Sequence, residues 1–290
     1  MSRIDEALRR AFGTPIADRR SVTVVGDSTG RQESFTLEQY PRERSISPDE
    51  GNRASRIGPD EPGPVPMPSP GRRARIETDS PIGPVPDAGP VPIERYRRLA
   101  AALQEAQIER GFRTVMVTSA VAGEGKTQAA VDLALTLTES LGRRVLLIDA
   151  DMRQPSIHEV LGIRNDRGLT EALRAERLEF PLVEITPLLS VLPAGQPEPN
   201  PRAALSSSRM RSLLDECSGL FDWVLLDAPP VSVLFDAQLL ARLTQAAIFV
   251  IDAGSTPLPV VEKAMAELGR QSIVGTILNG VGERLDPANR

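Results

Sequence analysis

The segment VMVTSAVAGEGKT, residues 115–127, constrains the fold more than any other part of the chain. A short apolar run leads into small residues, and the loop closes on Gly123, Gly125, Lys126 and Thr127 before the helix-favouring run QAAVDLALTL. A strand, a glycine loop, Lys-Thr and a helix form the layout of a phosphate-binding loop. Glycines let backbone amides curl around a polyphosphate, and the first turn of the helix offers unpaired N–H groups and a positive dipole end.

The last two residues of the motif carry its chemistry. Lys126 supplies a mobile positive charge for the outer phosphates, and the hydroxyl of Thr127 can ligate Mg²⁺. Ala120 stands at the first glycine of the usual pattern GxxxxGK[ST], which is a small departure. The alternative is a helix that follows a glycine turn and carries an unrelated lysine. We favour the phosphate loop because two acidic motifs lie where such a fold needs them.

Composition narrows the class of protein. The net charge of −5 argues against bulk nucleic-acid binding, so no nucleic-acid partner is expected. The single cysteine, Cys217, leaves no internal disulfide and fits a reducing compartment. No apolar run approaches the roughly 20 residues of a membrane span, and the charged N-terminus is unlike a signal peptide. The sequence therefore predicts a cytoplasmic protein that reaches a membrane only through a partner.

Four regions of the chain differ in pattern. Residues 1–12 have the spacing of a short amphipathic helix, with Ile4, Leu8 and Phe12 at intervals of four. Residues 13–91 are rich in glycine, proline and charged side chains and predict a disordered linker, although the apolar patch 22–25 could pair locally. Residues 92–284 have the patterns of a folded domain, and residues 285–290 form a tail.

Strand and helix patterns alternate through the predicted domain. After a helix that starts near Pro92, strands are predicted at 114–118, 144–149, 189–192, 223–227, 247–251 and 274–278. Helices are predicted at 126–141, 209–217, 237–242 and 258–268. The strands VLLID and WVLLD are unbroken apolar runs, as in parallel strands covered on both faces. The expected fold is α/β, with a doubly wound and mostly parallel sheet that binds ligands at the carboxyl ends of its strands.

Two acidic motifs end predicted strands. VLLIDADMR places Asp149 at the end of one strand and Asp151 two residues later, and WVLLDAPP places Asp227 at the end of another. A triphosphate with Mg²⁺ needs carboxylates that hold the metal's water shell opposite the phosphates. Each aspartate taken singly could be a solvated or capping residue. Together with the glycine loop they predict a site for a metal-bound triphosphate.

The motifs SAVAGEGKT, LLIDADMRQP and VLLDAPPV resemble those of the bacterial tyrosine kinase (BY-kinase) family, the cytoplasmic ATPases of capsule and exopolysaccharide export. LGIRNDRGLTEAL, LPAGQPEPNPRAALSS, VSVLFDAQLLA and GTILNGV also lie where that family has similar runs, so the resemblance covers about residues 92–282. More distantly, the core is similar to the MinD and ParA ATPases, which share the P-loop NTPase fold.

The resemblance implies a role for each motif residue. The catalytic residues would be Lys126, Asp149, Asp151 and Asp227, with Asp149 also the base for an acceptor hydroxyl. Mg²⁺ would be held by Thr127, Asp149, Asp151 and Asp227. ATP would contact Ala122, Gly123, Glu124, Gly125, Lys126, Thr127, Gln128 and Asn279. Asn279 matches the position that contacts adenine in related ATPases, and its alternative is a turn at a strand end with Gly280.

The resemblance also implies partners. The family works with a separate membrane-anchored polysaccharide chain-length regulator that activates it, with a protein tyrosine acceptor, and as homo-oligomers. Its oligomerisation helix has a form like ExxRxxRxN. This chain keeps Glu94 and Arg97 but has Ala100 and Ala102 at the two later positions.

The favoured function is an ATP- and Mg²⁺-dependent protein-tyrosine kinase that regulates exopolysaccharide or capsule synthesis and export. The main alternative is a nucleotide-switched regulatory ATPase with little kinase activity. Many family members phosphorylate a C-terminal tyrosine cluster in trans, whereas this sequence ends in GERLDPANR and its tyrosines are Tyr40 and Tyr96. A MinD- or ParA-like positioning ATPase and a non-enzymatic nucleotide-binding adaptor are less favoured, the former because of the negative net charge.

Overall fold

The structure is a computed structural model that describes residues 23–25, 75–79, 90–175, 179–232 and 235–280. Its strands are β1 (Thr23–Val25), β2 (Arg75–Asp79), β3 (Thr114–Ser119), β4 (Val145–Asp149), β5 (Glu179–Thr186), β6 (Leu189–Leu192), β7 (Trp223–Asp227), β8 (Ala246–Asp252) and β9 (Ile273–Asn279). Its α-helices are α1 (Pro90–Arg110), α2 (Lys126–Leu141), α3 (Ile157–Leu161), α4 (Leu169–Arg174), α5 (Pro201–Leu205), α6 (Ser208–Leu220), α7 (Asp236–Ala241) and α8 (Leu258–Leu268).

The described strands form one sheet in the order β1-β9-β8-β3-β7-β4-β6-β5-β2. All neighbouring pairs are parallel except β5 and β6, which are antiparallel. Parallel neighbours require crossover connections, which here run through the helices. The mostly parallel α/β sheet predicted from the sequence is therefore confirmed, with seven strands from β3 to β9 at its centre and one short strand at each edge.

Two hydrophobic clusters cover the two faces of the sheet. Val115 and Val117 of β3 belong to one cluster, which also takes residues from α1, α2 and α3. Met116 lies between them in sequence and belongs to the other cluster, with residues from α4 to α8. Successive side chains of a strand point to opposite faces, so an unbroken apolar strand supplies both clusters at once. This is the doubly wound arrangement that the sequence predicted.

The segment predicted to be a disordered linker contributes both edge strands. β1 pairs in parallel with β9 and includes Val24 and Val25 of the apolar patch. β2 pairs in parallel with β5. The prediction of an unstructured linker therefore does not hold for these two strands. The remainder of residues 13–89, the predicted helix at 1–12 and the tail at 285–290 lie outside the described residues.

Within the predicted domain, four of the described α-helices and strands were not predicted. They are the helices α3, α4 and α5 and the strand β5. The predicted helix near Pro92 is confirmed as α1. None of the helices in the described ranges combines the length and the apolar content needed to cross a bilayer.

The topology brings the carboxyl ends of three strands together at the centre of the sheet. β7 lies between β3 and β4, and Asp227 at its end is paired in register with Asp149 at the end of β4. On its other side Asp227 is in register with Val117 of β3, two residues before that strand ends at Ser119. The glycine loop and both acidic motifs therefore meet at one edge, where parallel sheets bind ligands.

Candidate functional site

The loop between β3 and α2 has the backbone shape that its glycines predict. Gly123 and Gly125 have φ angles of 85° and 84°, a region that residues with a Cβ adopt rarely. A Cβ at residue 125 would also lie 2.5 Å from Nδ2 of Asn279. The second glycine of the motif is therefore required both by its own backbone and by the close approach of β9.

The side chain of Glu124 holds this loop against the end of β8 and the segment that follows it. Its side chain is 3% exposed, and Oε2 accepts a hydrogen bond from the backbone N–H of Val121 at 2.8 Å. Oε1 accepts one from the backbone N–H of Asp252 at 3.2 Å and one from the hydroxyl of Thr256 at 2.6 Å. The backbone carbonyl of Glu124 accepts a bond from Nδ2 of Asn279 at 2.8 Å. The loop is thus held in place from the β8 and β9 side.

Lys126 begins α2 and points toward the acidic motifs. Its Nζ lies 3.1 Å from Oδ2 of Asp151 and 3.6 Å from Oδ1 of Asp227. Burial alone would lower the pKa of this amine, but the surrounding carboxylates of Asp227, Asp151 and Asp149 outweigh burial and raise the pKa above its ordinary value. The lysine is therefore a fixed positive charge at the meeting point of the loop and both acidic strand ends.

Asp149 is fully buried and holds the loop that follows it. Its Oδ2 accepts hydrogen bonds from the backbone N–H groups of Ser156 at 3.0 Å and Ile157 at 3.1 Å, and its Oδ1 accepts one from that of Asp151 at 3.2 Å. Burial, together with the negative charge of Asp227, raises the pKa of Asp149 to about 7 against these bonds. The carboxyl group therefore titrates near neutral pH in the free protein.

Asp227 is the residue whose bonding is incomplete. Both of its carboxylate oxygens are buried and have no hydrogen-bond partner among the described residues. Burial raises its pKa to about 6, and the nearby ammonium group of Lys126 limits that rise. Apart from the ammonium group of Lys126, which lies 3.6 Å from Oδ1, this buried carboxylate has no stabilising contact through a hydrogen bond among the described residues, and a bound cation with its waters would provide one. The chemistry at this position therefore fits a metal ion.

Thr127 adds a hydroxyl beside these carboxylates. Its Oγ1 lies 2.9 Å from Oγ of Ser156 and accepts a bond from Nζ of Lys126 at 3.4 Å. Across the described part of the chain, no three acidic, histidine or cysteine side chains converge closely enough to hold a metal ion by themselves.

The structure brings the predicted catalytic and metal-binding residues together. Lys126, Thr127, Asp149, Asp151 and Asp227 form one cluster, linked by the contacts above. Asn279 reaches the loop from β9, but its amide is engaged with the carbonyl of Glu124.

The remaining predicted nucleotide contacts differ in their surroundings. Ala122 and Gly123 are exposed at the loop tip. Gln128 donates through Nε2 to Oδ1 of Asp132 at 2.8 Å, four residues along the same helix. Its side chain is therefore turned along α2, and its backbone N–H at the helix start is the group left for a phosphate.

Sequence reasoning missed three features of the site. They are the carboxylate tether of Glu124, the hydroxyl of Ser156 beside Thr127, and an ion-pair triad of Arg153, Arg202 and Asp236. Only the position of Ser156, just before the apolar start of a helix, offered a recognisable signal. The other two depend on contacts between segments that are distant in sequence.

Comparison with known proteins identifies similar sequences and folds. A family model described as ParA, NUBPL iron-transfer P-loop NTPase, matches residues 112–281. The chain is 35% identical over 191 residues to the tyrosine-protein kinase YwqD of Bacillus subtilis, a match that covers 64% of this chain and 80% of that protein.

Two solved structures are similar in fold as well as in sequence. The kinase domain of the Escherichia coli tyrosine kinase ETK superimposes with a TM-score of 0.58 at 30% identity, covering 66% of this chain and 76% of that one. The chimerical protein CapA2B2 superimposes with a TM-score of 0.60 at 25% identity, covering 68% of this chain and 87% of that one.

Proposed function

The chain belongs to the bacterial tyrosine-kinase family of ParA-type P-loop NTPases, and we propose that it transfers the γ-phosphoryl group of Mg²⁺-ATP to tyrosine on acceptor proteins. The observation that carries the proposal is the position of Lys126, whose Nζ bridges the loop and the carboxylates of Asp151 and Asp227 at 3.1 and 3.6 Å. Phosphoryl transfer depends mainly on positioning and charge neutralisation, and these groups supply both.

We assign the ligands of Mg²⁺ by their oxygen chemistry. Thr127, Asp149, Asp151 and Asp227 are the proposed ligands or water holders, and the unpartnered oxygens of Asp227 support this most directly. When bound, Mg²⁺ would neutralise charge on the β- and γ-phosphates. Lys126 would contact the outer phosphates, while the loop residues Ala122 to Gln128 would surround the polyphosphate and Asn279 would lie on the adenine side.

Asp149 is the proposed acceptor base. The tyrosine oxygen would attack phosphorus, the bond from phosphorus to the β,γ-bridging oxygen would break, and the hydroxyl proton would pass to the carboxylate. Oδ1 accepts one backbone hydrogen bond and therefore keeps a lone pair for this proton.

Self-phosphorylation has few available positions in this sequence. Of its two tyrosines, Tyr96 is 7% exposed and packs in the core cluster with α2. The idea that Tyr96 accepts phosphate therefore conflicts with its burial. Tyr40 lies outside the described residues. Transfer to other proteins is accordingly the main proposed activity, and a nucleotide-switched ATPase with little transfer is the alternative.

Iron transfer, which the matching family model names, has no support from the thiols of this sequence. Its single cysteine, Cys217, is buried in α6, and burial raises the pKa of that thiol to about 12. Iron–sulfur clusters are held by several thiolates. One buried and protonated thiol cannot provide such a site.

The biological setting is proposed from the family resemblance. We infer a cytoplasmic protein that acts in capsule or exopolysaccharide synthesis and works with a separate membrane-anchored chain-length regulator. Homo-oligomerisation is also a proposal, and α1 keeps only Glu94 and Arg97 of the family's oligomerisation pattern. In that helix Arg97 and Arg98 are exposed, whereas Ala100 and Ala102 are buried against the domain.

A labelling experiment tests the proposed activity. The full chain is incubated with Mg²⁺ and ATP labelled on the γ-phosphate, with and without a tyrosine-containing polymer, and both phosphotyrosine and free phosphate are measured. The kinase proposal is supported if tyrosine is labelled by the parent and by Lys263→Met but not by Lys126→Met. Lys263 serves as the control because it is an exposed lysine of α8. Free phosphate without phosphotyrosine supports the regulatory ATPase. If neither phosphotyrosine nor free phosphate is formed, both proposed activities are contradicted.

A further inference from the structure

A buried carboxylate outside the cluster around Lys126 holds two arginines side by side. Asp236, the first residue of α7, is 1% exposed. Its Oδ2 accepts a hydrogen bond from Nε of Arg153 at 2.7 Å, and its Oδ1 accepts one from Nε of Arg202 at 3.3 Å. Each oxygen thus serves one guanidinium group. We call Arg153 and Arg202 the arginine pair.

The arginine pair keeps most of its hydrogen-bonding capacity. A guanidinium group has five N–H donors, and toward the described residues each of these arginines uses Nε alone. The side chains are 37% and 57% exposed. Two positive charges also face a single negative one, which leaves a local charge of about +1. The terminal nitrogens are therefore free to bind an anionic group from solvent.

The arginine pair lies on one side of the candidate site. Arg153 follows β4, Arg202 lies in α5 after β6, and Asp236 begins α7 after β7. These three strands are neighbours in the sheet, so the triad lies at their carboxyl ends. Arg153 is two residues beyond Asp151, which contacts Lys126. Asn279 lies at the other side, at the end of β9.

We propose that the arginine pair binds acidic side chains of the polypeptide whose tyrosine is phosphorylated. The proposal rests on the kinase function and adds the class of acceptor to it. A nucleotide whose base lies toward β9 directs its outer phosphates toward β7 and β4, so the acceptor approaches from the side of the pair. Guanidinium groups match the planar geometry of carboxylates, and Asp236 fixes their orientation before the acceptor binds.

Acceptor selectivity tests the proposal. Two peptides of equal length carry one tyrosine each, flanked by glutamates in one and by glutamines in the other. The parent should prefer the acidic peptide by about fivefold in kcat/KM, mainly through KM, and the preference should decline with salt. Arg202→Gln should reduce the preference below about twofold, and Arg202→Lys should give an intermediate value. Arg211→Gln, which removes an exposed arginine of α6, should match the parent.

The outcomes separate this proposal from the kinase proposal. The acceptor site is overturned if the parent does not prefer the acidic peptide, or if Arg202→Gln prefers it as strongly as the parent does. The ion-pair triad would then have only a structural role, joining α5 to α7. If neither peptide is phosphorylated, the kinase proposal fails. Fluorescent versions with phenylalanine in place of tyrosine then measure binding directly in the presence of Mg²⁺-ADP. Selective binding of the acidic version that Arg202→Gln abolishes supports the site, and equal binding refutes it.

Discussion

Replacing Asp227 by Asn should stabilise the free protein and abolish its metal-dependent activity. The carboxylate is buried, and its oxygens have no hydrogen-bond partner among the described residues. Its pKa is raised from 3.8 to about 6, so the ionised form is destabilising at neutral and alkaline pH. Asparagine has nearly the same shape and carries no charge.

The magnitude follows from the pKa. A shift of about 2 units corresponds to about 3 kcal/mol at pH 8. A buried amide without full hydrogen bonding costs about 1–2 kcal/mol, so the net gain is about 1–2 kcal/mol. For a folded domain of this size that is a rise in Tm of about 2–8 °C.

The sign of the pH dependence provides the decisive assay. Folding favours the protonated form of Asp227, because its pKa is higher in the folded protein than in the unfolded chain. The destabilisation by the ionised carboxylate is therefore complete above the folded pKa of about 6 and declines as the pH falls toward 3.8. Thermal unfolding in chelator at pH 8 and pH 5 should show a clear gain for Asp227→Asn at pH 8 and almost none at pH 5. Asp215→Asn, at an exposed position in α6, serves as control and should change neither.

Two results would refute this reasoning. Loss of stability in Asp227→Asn at pH 8 would mean that the charge is compensated in the folded protein. A gain of the same size at pH 5 would mean that the effect does not come from titration. Turnover provides a separate check, because Asp227→Asn should also lose Mg²⁺-dependent phosphate release, and unchanged metal dependence would contradict its proposed role.

Three further substitutions test the remaining parts of the site. Lys126→Met should reduce ATP turnover to background, and phosphate release at the parent rate would contradict the loop assignment. Glu124→Gln should raise KM for ATP by about tenfold with a smaller change in kcat, because an amide cannot accept bonds from all three donors. An unchanged KM would show that the tether does not shape the loop. Ser156→Ala should raise the Mg²⁺ concentration for half-maximal turnover by about threefold, since the hydroxyl positions that of Thr127.

The central sheet was predictable because its signals are local. The strands VLLID and WVLLD are apolar throughout, and all their residues are buried. The phosphate loop and the strand-end aspartates are likewise read from consecutive residues. Their convergence follows from the rule that ligands bind at the carboxyl ends of parallel strands.

The missed elements lack such local signals. The helices α3, α4 and α5 have only five or six residues, too few for an apolar period to show. In β5, Pro181 argues against a strand in the sequence, but the pairing of β5 with β6 involves Val183 to Thr186 and does not include Pro181. Strands β1 and β2 are short and pair with β9 and β5, far from them in the chain.

The contacts that refine the site are also non-local. Glu124 bonds to Thr256 across 132 residues, and Arg153 bonds to Asp236 across 83. No spacing rule connects such pairs, because they depend on the order of strands in the sheet. The sequence could therefore place the charged groups on strand ends but could not show which of them share a partner.

Burial raises the pKa values of Asp149 and Asp227, and the charges of the site modify that rise. Three carboxylates, Asp149, Asp151 and Asp227, surround the single ammonium group of Lys126, which leaves an excess of two negative charges when all are ionised. Burial is the largest cause of the pKa values of about 7 for Asp149 and about 6 for Asp227, and for Asp149 the negative charge of Asp227 adds to it. Below those values the two carboxyl groups hold protons in the free protein, which reduces the excess. A divalent cation would cancel the same excess and release those protons. The affinity for Mg²⁺ should therefore rise with pH between about 6 and about 7. Over the same range, ionisation of the two carboxyl groups increasingly destabilises the metal-free protein.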